Sequence, residues 1–213
     1  MAETDWHRDL MVELIETLKM HYAGDPAVYV SGNLLVYYVR GDKRKHLAPD
    51  VFMVRGVPKH NRKYYLVWEE AKAPDVVIEL TSKTTRKEDV EKKFNLYQDV
   101  LRVPEYFLFD PFEEYLKPSQ QGWRLVDGKY LAIEPVEGRL PSSVLGLHLE
   151  RNATQLRLFD PATRQWLPTP REGSLQANRG WEQERAARRA TEEENERLRR
   201  ELEALRRRMN DES

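Results

Sequence analysis

Two apolar segments of the chain carry an acidic residue at positions where a hydrophobic one would be expected. Glu79 lies in DVVIEL (75–80), whose apolar residues fall on both sides of the strand alternation and therefore predict a strand covered on both faces. A carboxylate buried there without a partner is unfavourable, so Glu79 requires a cation, a metal ion or hydrogen bonds. Asp50 begins DVFMV (50–54), a second predicted strand. Both carboxylates are therefore candidates for chemistry.

Asp75 begins the same strand as Glu79, but these two residues cannot hold one ion together. Their Cα atoms are about 13 Å apart in an extended strand, whereas two ligands of one Mg²⁺ must both lie about 2.1 Å from it. Glu79 therefore needs a partner from another strand, and Asp50 is the best candidate. Asp75 and Asp110 each adjoin a proline, which favours a role in a turn or a cap.

A basic partner for these carboxylates is predicted on a helix. Thr81 lies on the same face of its strand as Glu79, at the place where a lysine would complete a triplet common in nucleases. The helix predicted over 86–101 offers Lys92 and Lys93 instead. The apolar residues that define the buried stripe of this helix are Val90, Phe94, Tyr97 and Leu101. At about 100° per residue, Lys92 faces solvent and Lys93 lies on the flank of this stripe. Only Lys93 could extend its ammonium group to the sheet, and the alternative is that it extends into solvent.

The surrounding pattern predicts a mixed α/β domain with a central strand–helix–strand unit. DVVIEL, the helix over 86–101 and the strand YFLFD (106–110) follow one another closely, which predicts two parallel strands joined by a helical crossover. Ser31-Gly32-Asn33 separates two strand-like segments and predicts a hairpin. We expect a first helix over 5–22 and further strands at 28–30, 34–39, 64–68, 123–126, 130–135, 145–150, 156–160 and 165–167.

A change of composition divides the chain near residue 170. Residues 1–170 form the predicted domain, 171–178 a linker, and 179–213 a C-terminal helix rich in Arg, Glu, Ala and Leu. Two interpretations of this helix stay open, because its apolar seam covers only about two heptads. It either joins a homodimer or another partner as a coiled coil, or it is a solvated helix with frayed ends. The seam positions, with 4-3-4 spacing, are Leu198, Leu202, Leu205 and Met209.

Composition excludes several kinds of site. The 213 residues include no Cys, which rules out disulfides, thiolate zinc sites and cysteine nucleophiles. The five His are scattered, so a metal cluster built on histidines is not expected. No apolar run approaches the roughly 20 residues of a membrane helix, and the polar N-terminus differs from a signal peptide. We therefore expect a cytoplasmic protein that does not contact membranes.

Basic residues concentrate in one segment, although the formal net charge is only −1. Residues 40–63 hold eight Lys or Arg against two Asp, and the first of these basic residues lead directly into Asp50. One interpretation is that the segment holds a phosphate backbone beside that carboxylate. The alternative is an ordinary solvated hairpin.

Four stretches, in this order, resemble the Uma-type family of restriction-endonuclease-like proteins. They are APDVFMV, APDVVIELTSKTTR, EKKFNLY and VPEYFLFDP, and the resemblance covers roughly residues 8–170. The family belongs to the PD-(D/E)xK nuclease superfamily. The resemblance implies a restriction-endonuclease-like mixed sheet and metal-dependent hydrolysis of phosphodiester bonds in DNA. A homodimer would supply the two active sites that the simplest scheme needs to cut both strands.

The resemblance also implies roles for individual residues. Asp50 of APDV matches the first metal carboxylate, and Glu79 matches the acidic residue of the (D/E)xK element. Leu80 would offer its backbone carbonyl to the metal. Lys93, in a K-x-x-x-Y pattern with Tyr97, matches a helix-borne lysine that replaces the lysine of the strand. Such an oxygen site with open positions suits Mg²⁺, with Mn²⁺ as a substitute.

The sequence departs from the family pattern just after the strand. Ser82 matches a recurring serine, but Lys83-Thr84 replaces the Pro-Ser that often follows, so Lys83 is a second cation near the site. Asn33 is a further residue that could contribute to the edge of the site.

Two rival functions stay open: a nuclease fold that binds nucleic acid without cutting it, and an interaction protein that works through its C-terminal helix. Other enzyme classes lack support, because the phosphate loops, nucleophile elbows and zinc-binding helices that mark them are absent from the sequence.

Overall fold

The structure, a computed structural model, describes residues 4–82 and 87–211, and gives only the backbone at 199 and from 201 onward. Its helices are α1 (Asp5–His21), α2 (Val67–Glu70) and α3 (Pro170–Asp211). Two further segments are π-helical, and we call them together the crossover helix (Glu88–Lys93 and Leu96–Leu101). The strands are β1 (Val28–Ser31), β2 (Val36–Tyr37), β3 (His46–Leu47), β4 (Val51–Arg55), β5 (Tyr65–Leu66), β6 (Val76–Leu80), β7 (Glu105–Phe109), β8 (Gln120–Val126), β9 (Lys129–Ala132), β10 (Leu140–Ser142), β11 (Leu147–Asn152), β12 (Gln155–Asp160) and β13 (Gln165–Trp166).

A six-stranded sheet with the order β1-β4-β6-β7-β8-β9 forms the centre of residues 1–169. β6 and β7 are parallel and every other pair in this sheet is antiparallel. Because the crossover helix lies between β6 and β7 in the chain, the predicted strand–helix–strand unit is confirmed. The β8–β9 and β11–β12 hairpins flank it, so the mixed α/β class is confirmed too.

Alternate residues of the central strands face two separate cores. In β4, Val51 and Met53 belong to a core shared with α1 and β10–β12. Phe52 and Val54 belong to a second core, shared with the crossover helix, β2 and β5. Both faces of β6 are buried along its whole length, as its apolar sequence predicts. Any polar side chain on β6 therefore points into one of these two layers.

The hairpin predicted around Ser31-Gly32-Asn33 is wrong. β1 pairs with β4, whereas β2 belongs to a three-stranded sheet in which it pairs antiparallel with β3 and parallel with β5. Asn33 has a positive φ of 46°, and its N–H donates to the carbonyl of Pro49 at 2.8 Å. This bond holds the segment against the start of β4 instead of closing a turn onto β1.

Several strands are shorter than predicted; the strand predicted over 34–39, for example, is only β2, Val36–Tyr37. The strand predicted over 64–68 ends at Leu66, where the chain enters the short helix α2. The left-handed conformation of Ala71 (φ 52°) then ends α2. The remaining strands, β10–β13, form a separate antiparallel sheet.

Residues 170–213 are a second compact unit, which consists of α3. The helix begins at Pro170, a residue that suits the first helical position because it has no N–H to leave unbonded. The segment 171–178, predicted to be a linker, is therefore helical. Salt bridges four residues apart, such as Glu184–Arg188 at 2.6 Å, support the helix. Within the described part of the chain, none of the helices combines the length and apolar character that crossing a membrane requires.

Candidate active site

Asp50 lies where β4 and β6 separate. Their register ends with Val51 opposite Ile78. Beyond that pair, the N–H of Leu80 donates to Oδ2 of Asp50 at 2.7 Å, and the N–H of Asp50 donates to Oε2 of Glu79 at 3.3 Å. The N–H and C=O of one strand residue point to the same edge, so the Leu80 carbonyl is expected on the Asp50 side as well. Asp50, Glu79 and Leu80, three of the predicted site residues, are thus connected by hydrogen bonds at the end of the strand pair.

Gly32 makes room for the backbone of Asp50. A Cβ atom at position 32 would lie 1.9 Å from the carbonyl oxygen of Asp50 and 2.6 Å from Cδ1 of Ile15. Real Cβ atoms do not approach other atoms so closely, so only glycine fits here without a shift of the chain. The segment that was predicted as a hairpin turn therefore supports the position of a site residue. Asn33 follows Gly32, and its backbone N–H donates to the carbonyl of Pro49, the residue before Asp50.

Glu79 is completely buried on the face of β6 that carries the second core. Its Oε1 accepts a hydrogen bond from the Tyr97 hydroxyl at 2.7 Å, and its Oε2 lies 2.9 Å from Nζ of Lys93. Burial raises the pKa of Glu79 to about 8, against the opposing effect of Lys93 and with a further rise from Asp50. The pKa of the Tyr97 hydroxyl is also raised, by burial and by the adjacent Glu79. The carboxyl group of Glu79 is therefore held in one position, and burial destabilises its ionised form.

Lys93 reaches the sheet from the crossover helix, as its flank position predicts. Its Nζ also lies 3.0 Å from Oδ1 of Asp89, so one ammonium group bridges two buried carboxylates. Burial alone would lower the pKa of Lys93, but Glu79, Asp89 and Asp50 raise it above its ordinary value. The neighbouring Lys92 is exposed, as predicted. Lys93 is therefore a fixed positive charge in the site.

The burial of Asp89 was not predicted, because the crossover helix is π-helical. A period of 100° per residue placed Val90 in the buried stripe, yet Val90 is 38% exposed and Asp89 is 1% exposed. A π-helix bonds residue i to i+5 and so has more residues per turn than an α-helix, which turns its side chains to other directions. Single π-turns are frequent at functional sites. Asp89 is thus a site residue that the α-helical period hides.

His7 is the second residue that sequence reasoning missed. Its Nε2 lies 3.1 Å from Oδ1 of Asp50, and both side chains are largely buried. The first turn of α1 carries it, and the Thr4 side chain caps this turn by accepting the N–H of His7 at 3.2 Å. No local pattern marks His7, because only the packing of α1 against β4 brings it to the site.

Two other acidic residues have structural roles, as their prolines indicate. Asp75 accepts the N–H of Arg55 at 2.7 Å. Asp110 accepts the N–H groups of Phe112, Tyr115 and Leu116 at 3.1, 2.5 and 2.9 Å, respectively. The predicted turn role is therefore confirmed for Asp110, whereas Asp75 bonds across the sheet to the end of β4.

Glu105 is completely buried too, but its surroundings differ from those of Glu79. It accepts the N–H and the hydroxyl of Ser143 at 3.0 and 2.8 Å and pairs with Arg124 at 2.9 Å. Ser142 and the N–H of Val144 complete this shell. Hydrogen bonds from the protein thus satisfy Glu105, whereas Glu79 depends chiefly on one lysine and one tyrosine. This difference distinguishes a structural carboxylate from a candidate functional one.

The hydroxyl of Thr81, on the same strand face as Glu79, has no hydrogen-bond partner among the described residues. The residue is only 3% exposed. A buried hydroxyl without a partner is rare and indicates a missing water or ligand. Ser82 follows it, whereas Lys83, predicted as a second cation, lies outside the described residues.

Comparison with known proteins gives the family. Residues 1–173 match the model of the Uma2 family, described as "Putative restriction endonuclease". The chain belongs to the Uma2 family. The resemblance seen in its four sequence stretches is thereby confirmed. A search of curated proteins found no match to this Uma2 chain.

A solved structure shows the same fold as this Uma2 protein. It is described as "a putative nuclease belonging to DUF820" from Anabaena variabilis, and it superposes with a TM-score of 0.52 at 16% sequence identity. The match covers 70% of this chain and 80% of that one. At this identity the likeness concerns the fold alone. The nuclease-like fold expected from the sequence is confirmed.

The residues of this Uma2 site offer few but suitable metal ligands. Across 4–82 and 87–211, no three His, Asp or Glu side chains are grouped as a metal centre. The candidate donors are Asp50, Glu79 and the Leu80 carbonyl, which would leave several positions for water or substrate oxygens. Mg²⁺ is usually bound in this way, through one or two carboxylates together with water and phosphate oxygens. The Thr81 hydroxyl, which forms no hydrogen bond with the residues that the structure describes, is a further oxygen on the strand face of Glu79, so the residues fit Mg²⁺ or Mn²⁺.

Proposed function

We propose that this Uma2 protein is a metal-dependent endonuclease that hydrolyses phosphodiester bonds in DNA, and that it works in the cytoplasm. Asp50, Glu79 and the Leu80 carbonyl would hold Mg²⁺, or Mn²⁺ in its place. The observation that carries the proposal is the 2.9 Å contact between Lys93 and a completely buried Glu79, next to Asp50. Three elements, β4, β6 and the crossover helix, bring together residue types that suit phosphodiester hydrolysis. Family membership and fold support the same activity class.

Each residue has a distinct part in the proposed reaction. When bound, Mg²⁺ would polarise the phosphodiester and lower the pKa of an attacking water. Lys93 keeps its proton and presents a positive charge where negative charge develops on the phosphate. A fixed contact of this kind typically contributes about 100- to 1,000-fold in rate. Asp89 holds the Lys93 ammonium from the other side, so that it acts as a positioning residue.

Tyr97 and Leu80 orient the carboxylates. The Tyr97 hydroxyl fixes Oε1 of Glu79, and the Leu80 N–H fixes Oδ2 of Asp50. The other two oxygens have partners as well: Oε2 of Glu79 faces Lys93, and Oδ1 of Asp50 faces His7. The carboxylates thus need little reorganisation, which favours catalysis by a preorganised site.

A homodimer formed through α3 is the second part of the proposal. Cutting both strands of a duplex requires two sites in the simplest scheme, and one chain carries one set of the proposed residues. The 4-3-4 spacing of apolar residues near the end of α3 supports a coiled-coil contact between two copies.

Calorimetric titration of Mg²⁺ and Mn²⁺ tests the proposal without knowledge of the recognition sequence. We expect wild type to bind metal and Glu79→Gln to bind at least 10-fold more weakly, because the substitution removes the charge but keeps the shape. Glu134→Gln, an exposed glutamate on the surface, should bind like wild type. In a plasmid-nicking assay with Mn²⁺, Glu79→Gln and Asp50→Asn should be inactive. Cutting by Glu79→Gln at the wild-type rate would falsify the site assignment.

The same assays separate the proposal from its rival. A nuclease fold that only binds nucleic acid would show no metal-dependent nicking in wild type. If neither metal binds alone, the titration is repeated with a short duplex, whose phosphate oxygens can complete the metal shell. Absence of binding in that second titration would contradict the metal site.

A further inference from the structure

A cavity of about 390 Å³ lies on the three-stranded sheet and shares no lining residue with the candidate active site. Its walls are aromatic and apolar, and Tyr37 and Tyr64 meet edge to face with ring centroids 5.9 Å apart. Tyr64 is 49% exposed, so the aromatic wall is accessible from solvent. The volume is in the range of pockets that bind small ligands. The lining residues that matter here are Tyr37, Val39, Tyr64, Leu66 and Trp68.

Exposed positive charge surrounds this pocket. Lys43 lines it, and Arg40 and Lys45 lie in the same β2–β3 connection. These three side chains are exposed and form no salt bridge with the residues that the structure describes. Asp42 also lines the pocket, but its carboxylate pairs with Arg44 at 3.1 Å. The rim of the pocket is therefore positively charged.

Two arginines further along the basic segment 40–63 are used by the fold. Arg62 pairs with Glu70 at 2.7 Å and is almost completely buried. The guanidinium of Arg55 donates to the Val144 carbonyl at 3.0 Å. The interpretation that the segment binds phosphates thus applies to its first part, the β2–β3 connection, and not to Arg55 and Arg62. Arg40, Lys43 and Lys45, which remain available to bind a ligand, lie together beside the aromatic pocket.

The pocket is close to the candidate active site along the chain. The hairpin that carries it leaves after Asn33 and returns at Pro49, where these two residues share a backbone hydrogen bond of 2.8 Å. Tyr37 pairs with His46, which precedes Asp50 by four residues. An extended chain of that length spans at most about 14 Å. At the duplex spacing of about 3.4 Å per nucleotide along one strand, this corresponds to only a few nucleotides, and an extended unpaired strand spans it with fewer.

We propose that this aromatic pocket binds an unstacked base of single-stranded DNA, with the neighbouring phosphates on Arg40, Lys43 and Lys45. The inference rests on the proposed nuclease function, because it places the bound base a few nucleotides from the bond that is cut. Aromatic side chains stack on the face of any base, and a basic groove follows the backbone. In a duplex the base faces are covered, so the ligand is an unpaired strand. A second copy of this chain fits poorly, because a symmetric contact would bring two positively charged rims together.

Fluorescence anisotropy with the full-length protein tests the inference. The probe is a labelled thymidine oligonucleotide in EDTA, so that binding is measured without cleavage. We expect it to bind more tightly than a duplex of equal length and more tightly than an abasic strand with the same number of phosphates. Tyr64→Ala should weaken binding about 5- to 100-fold, the usual effect of losing one stacking contact. Tyr64→Phe keeps the ring and should bind like wild type.

Matched controls make the result decisive. Trp166 is another aromatic residue that is 48% exposed, and Trp166→Ala should leave binding unchanged. Trp68→Phe should reduce the quenching of protein fluorescence by the oligonucleotide while binding stays within about twofold of wild type. Equal binding by wild type and Tyr64→Ala, equal binding of the abasic strand, or tighter binding of duplex DNA or of a uridine oligonucleotide would each overturn the inference.

Failure of the pocket and failure of the nuclease assignment are distinguishable. Glu134→Gln should bind the thymidine strand like wild type, because this exposed glutamate belongs neither to the pocket nor to the candidate active site. If the plasmid is not cut but Tyr64→Ala still weakens binding, the pocket stands and the nuclease assignment fails. If cleavage depends on Glu79 but binding is independent of Tyr64, the site stands and the pocket assignment fails.

Discussion

The N–H of Leu80 donates to Oδ2 of Asp50 at 2.7 Å, at the point where the next residue of β4 would otherwise pair with β6. A side chain thus continues the hydrogen bonding of the sheet after the two backbones have separated. Glu79 lies at this point too, where its Oε2 accepts the N–H of Asp50 at 3.3 Å. The position of Asp50 is therefore set by the same bonds that end the sheet.

Gly32→Ala is expected to disturb this arrangement. The new Cβ would lie 1.9 Å from the Asp50 carbonyl oxygen, so the backbone has to move. Such overpacking costs about 1–3 kcal/mol of stability, and a shift of about 1 Å in a site residue can reduce a rate about 100-fold. Urea unfolding and plasmid nicking measure both effects. Gly24→Ala is the control, because nothing lies within 4 Å of a Cβ there. Wild-type nicking by Gly32→Ala would show that Asp50 does not depend on this contact.

Lys93→Ala is expected to separate chemistry from metal binding. Cleavage should fall about 100- to 1,000-fold, while Mg²⁺ binding is retained because both carboxylates remain. Removing one partner of a buried pair typically costs about 3 kcal/mol or more, and a lower unfolding midpoint should accompany the loss of rate. Lys92→Ala removes an exposed lysine from the adjacent position and should leave both properties unchanged. If Lys93→Ala cuts as fast as wild type, another cation has the role assigned to Lys93.

Thr81→Val is expected to have opposite effects on stability and activity. It replaces a buried hydroxyl that has no partner among the described residues with a methyl group of similar size. Stability should be unchanged or rise by about 1 kcal/mol. If the hydroxyl binds a water beside Glu79, cleavage should fall about 10-fold, the usual effect of losing one hydrogen bond. Thr154→Val, in the turn between β11 and β12, controls for the substitution. Unchanged cleavage by Thr81→Val would exclude a role for this hydroxyl.

The raised pKa of Glu79 predicts a pH dependence of stability. Between its ordinary value of 4.5 and about 8, the folded protein keeps a proton that the unfolded chain has released. The free energy of unfolding should therefore decrease as pH rises through this range, by up to about 1.4 kcal/mol per pH unit. Glu79→Gln should make the dependence flatter. Urea midpoints at several pH values measure this, and equal slopes for the two proteins would contradict it.

Metal binding should release a proton in the same pH range. Because a metal ion binds the ionised carboxylate, binding below about pH 8 displaces the proton of Glu79. The calorimetric heat should then differ between two buffers of unequal ionisation enthalpy. A heat that is independent of the buffer would show that Glu79 is already ionised.

The seam of α3 predicts a change of oligomeric state on mutation. The double variant Leu198→Arg, Leu205→Arg would place charge at the proposed coiled-coil contact. We expect it to be monomeric by light scattering. Leu175→Arg lies on the same helix but outside the 4-3-4 register and should leave the mass unchanged. A wild-type protein that is already monomeric would contradict the dimer.

Local sequence rules located the parts of the site that depend on local structure. Strand alternation identified Glu79 as a charge in a covered strand, and helical spacing separated Lys93 from the exposed Lys92. The same spacing missed Asp89, because π-helical turns change the direction of side chains relative to a period of 3.6 residues. His7 was missed for a different reason, since docking of a distant helix brings it to Asp50. The Gly32 segment was interpreted as a turn because its close approach to Asp50 is visible only in three dimensions.

The single backbone bond between Asn33 and Pro49 has an evolutionary consequence. Because the chain leaves the sheet and returns to it at one point, the connection between β2 and β3 can be lengthened, shortened or replaced without changing the distance from Gly32 to Asp50, whereas Val36 and Leu47 belong to the second core. The connection is therefore a module whose sequence can diverge under selection for different ligands, while the residues at its base stay under the constraint of the candidate site. Exchange of this connection between homologues offers a way to transfer ligand preference without redesigning the candidate active site.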